Sequence, residues 1–166
     1  MLQNEISAMD SILAGCARRG LPVILNPAPY SDDLAEMDLS SVAWLIVNEV
    51  EVAQLTGTDD PEAAWAIVRN RWPHTSLVVT LGEKGSVCFS GDERFTQGAF
   101  AVDAIDTTAA GDTFIGYFVA GLQEGLPLPH CLERASLASA IAVTRPGAAP
   151  SIPAKAEVDA DERLSR

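Results

Sequence analysis

The stretch Asp106-Thr107-Thr108-Ala109-Ala110-Gly111-Asp112-Thr113-Phe114 sets two carboxylates around a run of small side chains just before an apolar helix. Side chains this small leave backbone N–H groups open to a ligand. The start of the helix adds unsatisfied amides and the positive end of its dipole, which together favour an anion. Phosphate is the obvious candidate. Asp112 lies in the first helical turn, where the dipole keeps it ionised, and an ionised carboxylate beside a phosphate site can take a proton from an attacking hydroxyl. The plainer alternative is that Asp106 or Asp112 caps the helix.

Three further segments carry polar groups in suggestive places. Asn48-Glu49-Val50-Glu51 closes an apolar strand and opens a helix, so Asn48 and Glu51 can face the carboxyl edge of a sheet, where open α/β sheets bind ligands. The same spacing is also that of a capping box. In Thr80-Leu81-Gly82-Glu83-Lys84-Gly85 the glycines permit a tight turn and close backbone approach, and Thr80 adds a hydroxyl. Ala142 to Ser151 offers carbonyl oxygens and a hydroxyl in an irregular loop, suited to a hard monovalent cation, or else forms a plain loop. His74 and His130, each next to a proline, are given no role, and Trp44, Trp65 and Trp72 read as core.

The elements that must hold these groups alternate. Ser7 to Arg19 reads as a helix, stopped by Gly20 before the strand 22–25. Strand 42–47, helices 49–55 and 61–72, and strand 76–81 follow. A hairpin of 86–90 and 94–102 turns at Gly91-Asp92-Glu93, and two long apolar helices span 110–124 and 129–143. Strand–helix alternation predicts an α/β fold with a mostly parallel sheet and helices on its faces.

Bulk properties narrow the ligand. With 166 residues, 48% of them hydrophobic, the chain can bury one compact core. A net charge of -12 argues against nucleic acid as a partner and leaves small molecules. Cys16, Cys88 and Cys131 are scattered in apolar surroundings and read as buried thiols of a reducing compartment. No run approaches the ~20 apolar residues of a membrane span, and the first residues have no signal-peptide build. No membrane partner and a cytoplasmic location are therefore expected.

The loop ending at Asp112 resembles the second signature of the PfkB-type carbohydrate kinases, Asp-Thr-x-x-Ala-Gly-Asp with variations. Ribokinases in particular look like this stretch, with Ala109-Ala110-Gly111-Asp112 in place of Gly-Ala-Gly-Asp. Asn26-Pro27-Ala28-Pro29, Asn48 to Glu51, Thr80 to Gly85 and Ala140 to Ser151 fall in the family's order. The resemblance implies a ribokinase-like doubly wound sheet and ATP-dependent phosphorylation of a sugar hydroxyl, most specifically of D-ribose. Fructokinase, ketodeoxygluconate kinase and nucleoside kinase stand as alternatives. By the same resemblance Asp112 is the catalytic base and touches the sugar, and the amides of Ala109, Ala110 and Gly111 form the anion hole. ATP would be held by Asn48, Thr80, Leu81, Gly82, Glu83, Lys84, Gly85, Gly111 and Asp112. Ser136 would lie near the adenine, where relatives often carry Asn or His. Glu51 would organise Mg²⁺ through its waters, and Asp106, Thr108, Ala142, Arg145, Gly147 and Ser151 would hold K⁺, mostly through backbone oxygens.

The likeness runs from Leu2 to about Pro153, the C-terminal half of the family's usual length. This assigns 1–153 to the C-terminal part of a kinase domain and 154–166 to a charged tail that forms a loose helix or frays. Glu5, near the start, matches a sugar-contacting position. The expectation is a fold truncated on its N-terminal side, without the Gly-Gly-rich sugar motif or the small β lid. ATP binding would then survive better than turnover, or the chain would be an inactive nucleotide-binding remnant. An exposed sheet edge would favour a homo-oligomer or a separate N-terminal piece.

Overall fold

The computed structural model describes residues 1–164. Strands β1 (Leu2–Gln3), β2 (Val23–Asn26), β3 (Val42–Asn48), β4 (Ser76–Thr80), β5 (Ser86–Ser90) and β6 (Glu93–Gln97) form one sheet in that order. The first four pair in parallel, with Leu2 opposite Leu25, Leu25 opposite Leu45, and Leu45 opposite Leu77. Residues 81–85, and then Gly91-Asp92, connect the last strands. Both links are far shorter than the dozen or more residues of a parallel crossover, so the sheet is mixed. Leu45, Ile46 and Val47 are consecutive on β3 and all buried, which requires cover on both faces of the sheet there.

The chain divides into two compact units. The first comprises Met1–Thr80 with Val87–Arg94. Its helices are α1 (Met9–Arg19), α2 (Asp33–Glu36), α3 (Glu49–Thr56) and α4 (Pro61–Arg71). Met9 and Leu13 of α1 are buried, and the helix stops where Gly20 takes φ 62°. Leu34, Leu39, Val52, Val68 and Leu77 are fully or almost fully buried in this unit, and Trp65 stacks on Phe89 at 5.6 Å. Trp72 is buried, whereas Trp44 is half-buried.

The second unit comprises Leu81–Ser86 and the chain from Phe95 onward. Helices α5 (Ala110–Gln123) and α6 (Leu128–Val143) lie close together, because a Cβ at Gly121 would come within 2.9 Å of the Cys131 sulfur. Helix α7 (Lys155–Asp159) covers α6: Val158 is fully buried with Leu137, Ala138 and Ile141, and Phe100, Tyr117 and Leu164 pack around them. Burying one such valine is worth roughly 2 kcal/mol. The charged segment is thus docked by an apolar residue. Its ion pairs, Lys155 with Glu124 and Arg134 with Asp159, lie on the rim. Residues 165 and 166 of that segment lie outside the described residues.

Several boundaries differ from the sequence pattern. The strand expected over 94–102 ends at Gln97, because Phe100 leaves the ladder to pack against α6. Helix α2 is a single turn, too short to show a periodicity. Cys88 and Cys131 are buried, while Cys16 is only half-buried. Among the described residues no helix is long and apolar enough to cross a membrane.

Gly85 is the tightest point in the second unit. It takes φ 99°, and a Cβ there would stand 2.0 Å from the Gln97 carbonyl oxygen. Gly85→Ala should therefore cost about 3 kcal/mol, as backbone strain and overlap act together. Urea unfolding of the two proteins measures it; a loss below 1 kcal/mol would mean that the loop relaxes freely.

Candidate active site

Each unit presents its own cluster of polar groups. In the second, the chain enters α5 through a turn that Asp106 organises. Asp106 Oδ1 accepts hydrogen bonds from the Thr108 N–H at 3.0 Å and from the Thr108 hydroxyl, and Oδ2 accepts from the Gly147 N–H at 2.9 Å. The Ile105 and Asp106 amides both donate to the Val143 carbonyl, at 2.7 and 3.1 Å. The entrance of α5 is thus tied to the exit of α6. The Thr108 hydroxyl first, then the Gly147 and Thr108 amides, lower the Asp106 pKa from 3.8 to about 2.

With its carboxylate committed there, Asp106 does not cap the helix. The N-cap residue is Ala109, buried and with no side-chain cap. Asp112 is the third helical residue and is exposed. Together with Gly116, Tyr117 and Ala120 it lines a groove of about 250 Å³ running along α5. The Ser139 hydroxyl of α6 donates to the Ala110 carbonyl at 2.9 Å and pins the first turn from behind.

Of the residues expected around a monovalent cation, Asp106, Thr108 and Gly147 meet directly through these bonds. The Ala142 carbonyl accepts from the Arg145 N–H at 3.1 Å, and the Arg145 guanidinium pairs with Glu157. Ser151 is buried, its hydroxyl donating to the Ala148 carbonyl at 2.7 Å. Ser136 lies buried in the middle of α6. Leu81 to Gly85 forms a closed 3₁₀ turn, with the Leu81 N–H on the Gly85 carbonyl at 2.8 Å and Gly82, Glu83 and Lys84 exposed.

In the first unit, Asn48 and Glu51 form the capping box that their spacing allows. Asn48 Oδ1 accepts from the Val50 and Glu51 amides at 2.9 and 2.8 Å, and Glu51 Oε2 accepts from the Asn48 N–H at 3.0 Å. Glu51 is 9% exposed, and this desolvation raises its pKa above 4.5 despite the donors of Asn48 and Asn26. The Thr80 hydroxyl donates to the Val47 carbonyl at 3.4 Å.

Sequence reasoning gave Asn26 no individual role, yet its side chain donates to Glu51. The available signal was a polar residue ending the apolar run 23–25. Glu5 is exposed and lines an open groove of about 840 Å³, shared with Ser7, Asp10, Tyr30, Ser31 and Asp33. The Asn4 side chain spans the loops beside it, donating to the Pro29 carbonyl at 2.8 Å and to Ser31 Oγ at 3.1 Å.

A family model for pfkB family carbohydrate kinases matches residues 6–155. The chain belongs to that family. It is 36% identical over 173 aligned positions to a ribokinase of Schizosaccharomyces pombe, covering 99% of this chain and 54% of that protein. A deoxyribokinase of Salmonella typhi is 34% identical, with 82% of this chain and 46% of that protein covered. Among solved structures, Arabidopsis thaliana ribokinase complexed with ribose and ATP superposes with a TM-score of 0.81 at 32% identity, covering 99% of this chain and 55% of that one. Ribokinase of Cryptococcus neoformans in complex with ADP gives 0.82 at 31% identity, covering 95% and 57%. The fold is therefore ribokinase-like, and the chain spans about half the length of the curated relatives it matches.

The lowered pKa of Asp106 ties the pfkB-type loop to pH. A carboxyl whose folded pKa lies below its unfolded value stabilises the fold above the unfolded pKa, and that contribution fades as pH falls through the folded value. Asp106→Asn should lower the Tm by a constant amount above about pH 5. The gap should close between pH 3.8 and about 2. Thermal melts across that range decide it; a gap independent of pH would show that the carboxylate charge is not what holds Gly147.

Proposed function

We propose that this chain is the ATP-binding, catalytic part of a ribokinase-type sugar kinase, transferring the γ-phosphoryl group of ATP to a sugar hydroxyl, D-ribose first among candidates. The observation that carries this reading is the start of α5. It is a long helix whose N-terminus has no side-chain cap, with Asp112 in its first turn. An anion fits such an end, and a carboxylate within the same turn fits the proton that must leave the attacking hydroxyl.

The remaining roles follow the family resemblance. The Ala109 and Gly111 amides, joined by that of Ala110 when it leaves the Thr107 carbonyl to which it donates at 3.1 Å, receive the transferring phosphoryl group, and Asp112 accepts the hydroxyl proton. Asn48, Thr80, Leu81, Gly82, Glu83, Lys84 and Gly85 hold the nucleotide, with Ser136 toward the adenine. Glu5 contacts the sugar from the groove it lines. Residues 1–153 act as this kinase part. ATP and a small sugar are the partners, in the cytoplasm.

The donor sets are compatible with the two cations. Among the described residues no group of three or more His, Cys, Asp or Glu could hold a metal ion. Glu51 is instead a single buried carboxylate with Asn48 and Asn26 both donating to one oxygen, which suits an outer-sphere hold on hydrated Mg²⁺. Bound there with ATP, Mg²⁺ would neutralise charge on the phosphates. For K⁺ the family set is Asp106, Thr108, Ala142, Arg145, Gly147 and Ser151, rich in the neutral oxygens a monovalent ion takes.

Coupled ADP release with Mg-ATP and K⁺ tests the reading, in the presence of ribose, deoxyribose or no sugar. ATP binding should be retained by Asp112→Asn, while sugar-dependent turnover falls roughly 10³-fold. Binding of ATP without turnover in the parent chain would reduce the reading to a nucleotide-binding module. Absence of ATP binding by folded protein would overturn it.

Glu51 gives a second check. A carboxyl with a raised folded pKa destabilises the fold once pH exceeds its unfolded value, here 4.5. Glu51→Gln should thus leave the Tm at pH 7 unchanged or higher, while raising the Mg²⁺ needed for half-maximal turnover about 10-fold, the loss typical of removing a metal-organising partner. A large drop in Tm would mark Glu51 as a structural residue only.

A further inference from the structure

We infer that Asn26 is a positioning residue for Glu51, holding its carboxylate toward the cation-dependent chemistry proposed above; this inference rests on that reading of Glu51. Asn26 ends β2 and is 5% exposed. Its Nδ2 group donates to the Ile46 carbonyl at 2.9 Å and to Glu51 Oε2 at 3.4 Å. Its Oδ1 accepts from Gln3 Nε2, on the neighbouring strand β1, at 3.4 Å. The two acceptors facing Nδ2 fix which way the amide points, since a flipped Oδ1 would meet a carbonyl and a carboxylate.

The arrangement matters because Glu51 is desolvated. A buried carboxylate without donors takes up a proton or turns toward water. The Asn48 N–H supplies one donor from the last residue of β3, which is also the cap of the helix that carries Glu51. Asn26 supplies the other from a different strand, itself anchored to the backbone of β3 through Ile46. Together the two donors hold the carboxylate between adjacent strands, with Asn26 supplying the β2 side. Both donors meet Oε2. A buried amide serving only the sheet would need the Ile46 carbonyl but not the carboxylate.

The test counts Mn²⁺ bound to the protein with ATP, from the enhancement of water-proton relaxation above a protein-free Mn-ATP control, and turnover is not required. Mn²⁺ is titrated in the presence of saturating ATP into the full chain and into Asn26→Asp, Asn26→Leu, Glu51→Gln and the double variant Asn26→Leu/Glu51→Gln. Nucleotide binding is measured separately without metal. Asn26→Asp keeps the shape but faces Glu51 with a second carboxylate; Asn26→Leu removes the amide. Each single variant should weaken Mn²⁺ binding about 10-fold with metal-free ATP binding unchanged, and the double variant should be no worse than Glu51→Gln.

If Asn26 variants lower only the Tm and bind Mn²⁺ as the parent does, while Glu51→Gln weakens it, Asn26 is structural and the inference fails alone. If Glu51→Gln itself binds Mn²⁺ as the parent does, the reading of Glu51 fails and the inference with it. Should both Asn26 variants fail to fold, Asn26→Ser keeps a small neutral polar group at the end of β2 but removes the amide that reaches Glu51. Weaker Mn²⁺ binding in Asn26→Ser supports the inference, and parental binding overturns it.

Discussion

The carboxylate of Asp106 joins two segments that sequence keeps forty-one residues apart, the entrance to α5 and the loop beyond α6. A carboxylate just before a helix would ordinarily turn inward and accept from the first-turn amides, satisfying them locally. Here it turns to Thr108 and the Gly147 N–H instead. The first turn of α5 then keeps its amides clear of any side-chain cap, while the loops around it stay fixed. Asp112 inherits its position from that arrangement, because the register of the helix start decides which residue falls in the first turn.

Two helices of the chain carry the side-chain cap that α5 lacks, while α1, α2, α6 and α7 also start without one. Asn48 caps α3 and Asp60 caps α4, each accepting from two backbone amides. A good cap contributes on the order of 1 kcal/mol. Helix α5 forgoes that contribution although Asp106 lies close by in sequence. Its stability comes from packing: Phe114 and Phe118 stack at 6.2 Å, Gly121 admits Cys131, and Ser139 holds the Ala110 carbonyl. A helix secured along its flank can leave its end to a ligand, whereas a short surface helix such as α3 cannot.

Much of this was legible in the residues. The runs 42–47 and 76–81 read as strands from their apolar content, the second ending one residue early at Thr80, and Gly20 marks a helix end through local chemistry alone. The Asn48–Glu51 spacing allowed both a capping box and a ligand-facing pair, and the structure realises the box while leaving Glu51 buried. What the sequence hid is long-range. Nothing local to Asn26 says that it meets Glu51, and nothing local to Gly147 says that its amide meets Asp106. The early end of β6 was hidden for the same reason, since Phe100 is drawn away by α6, a partner far along the chain. Short elements such as α2 and β1 lack the length to display a period at all.

Glu51 shows how stability and the proposed cation role pull apart within one small cluster. Its burial disfavours the charge, yet a carboxylate that shed its charge would have no hold on a cation. The neighbours that lower the cost, the Asn48 N–H and the Asn26 amide, are neutral, so they support the charge without neutralising it as a lysine or arginine would. A cationic partner would stabilise the fold more strongly and would also consume the charge that a bound cation needs. Neutral donors on one oxygen are the arrangement that, in the proposed role, would support the charge of a buried carboxylate while leaving it to a cation.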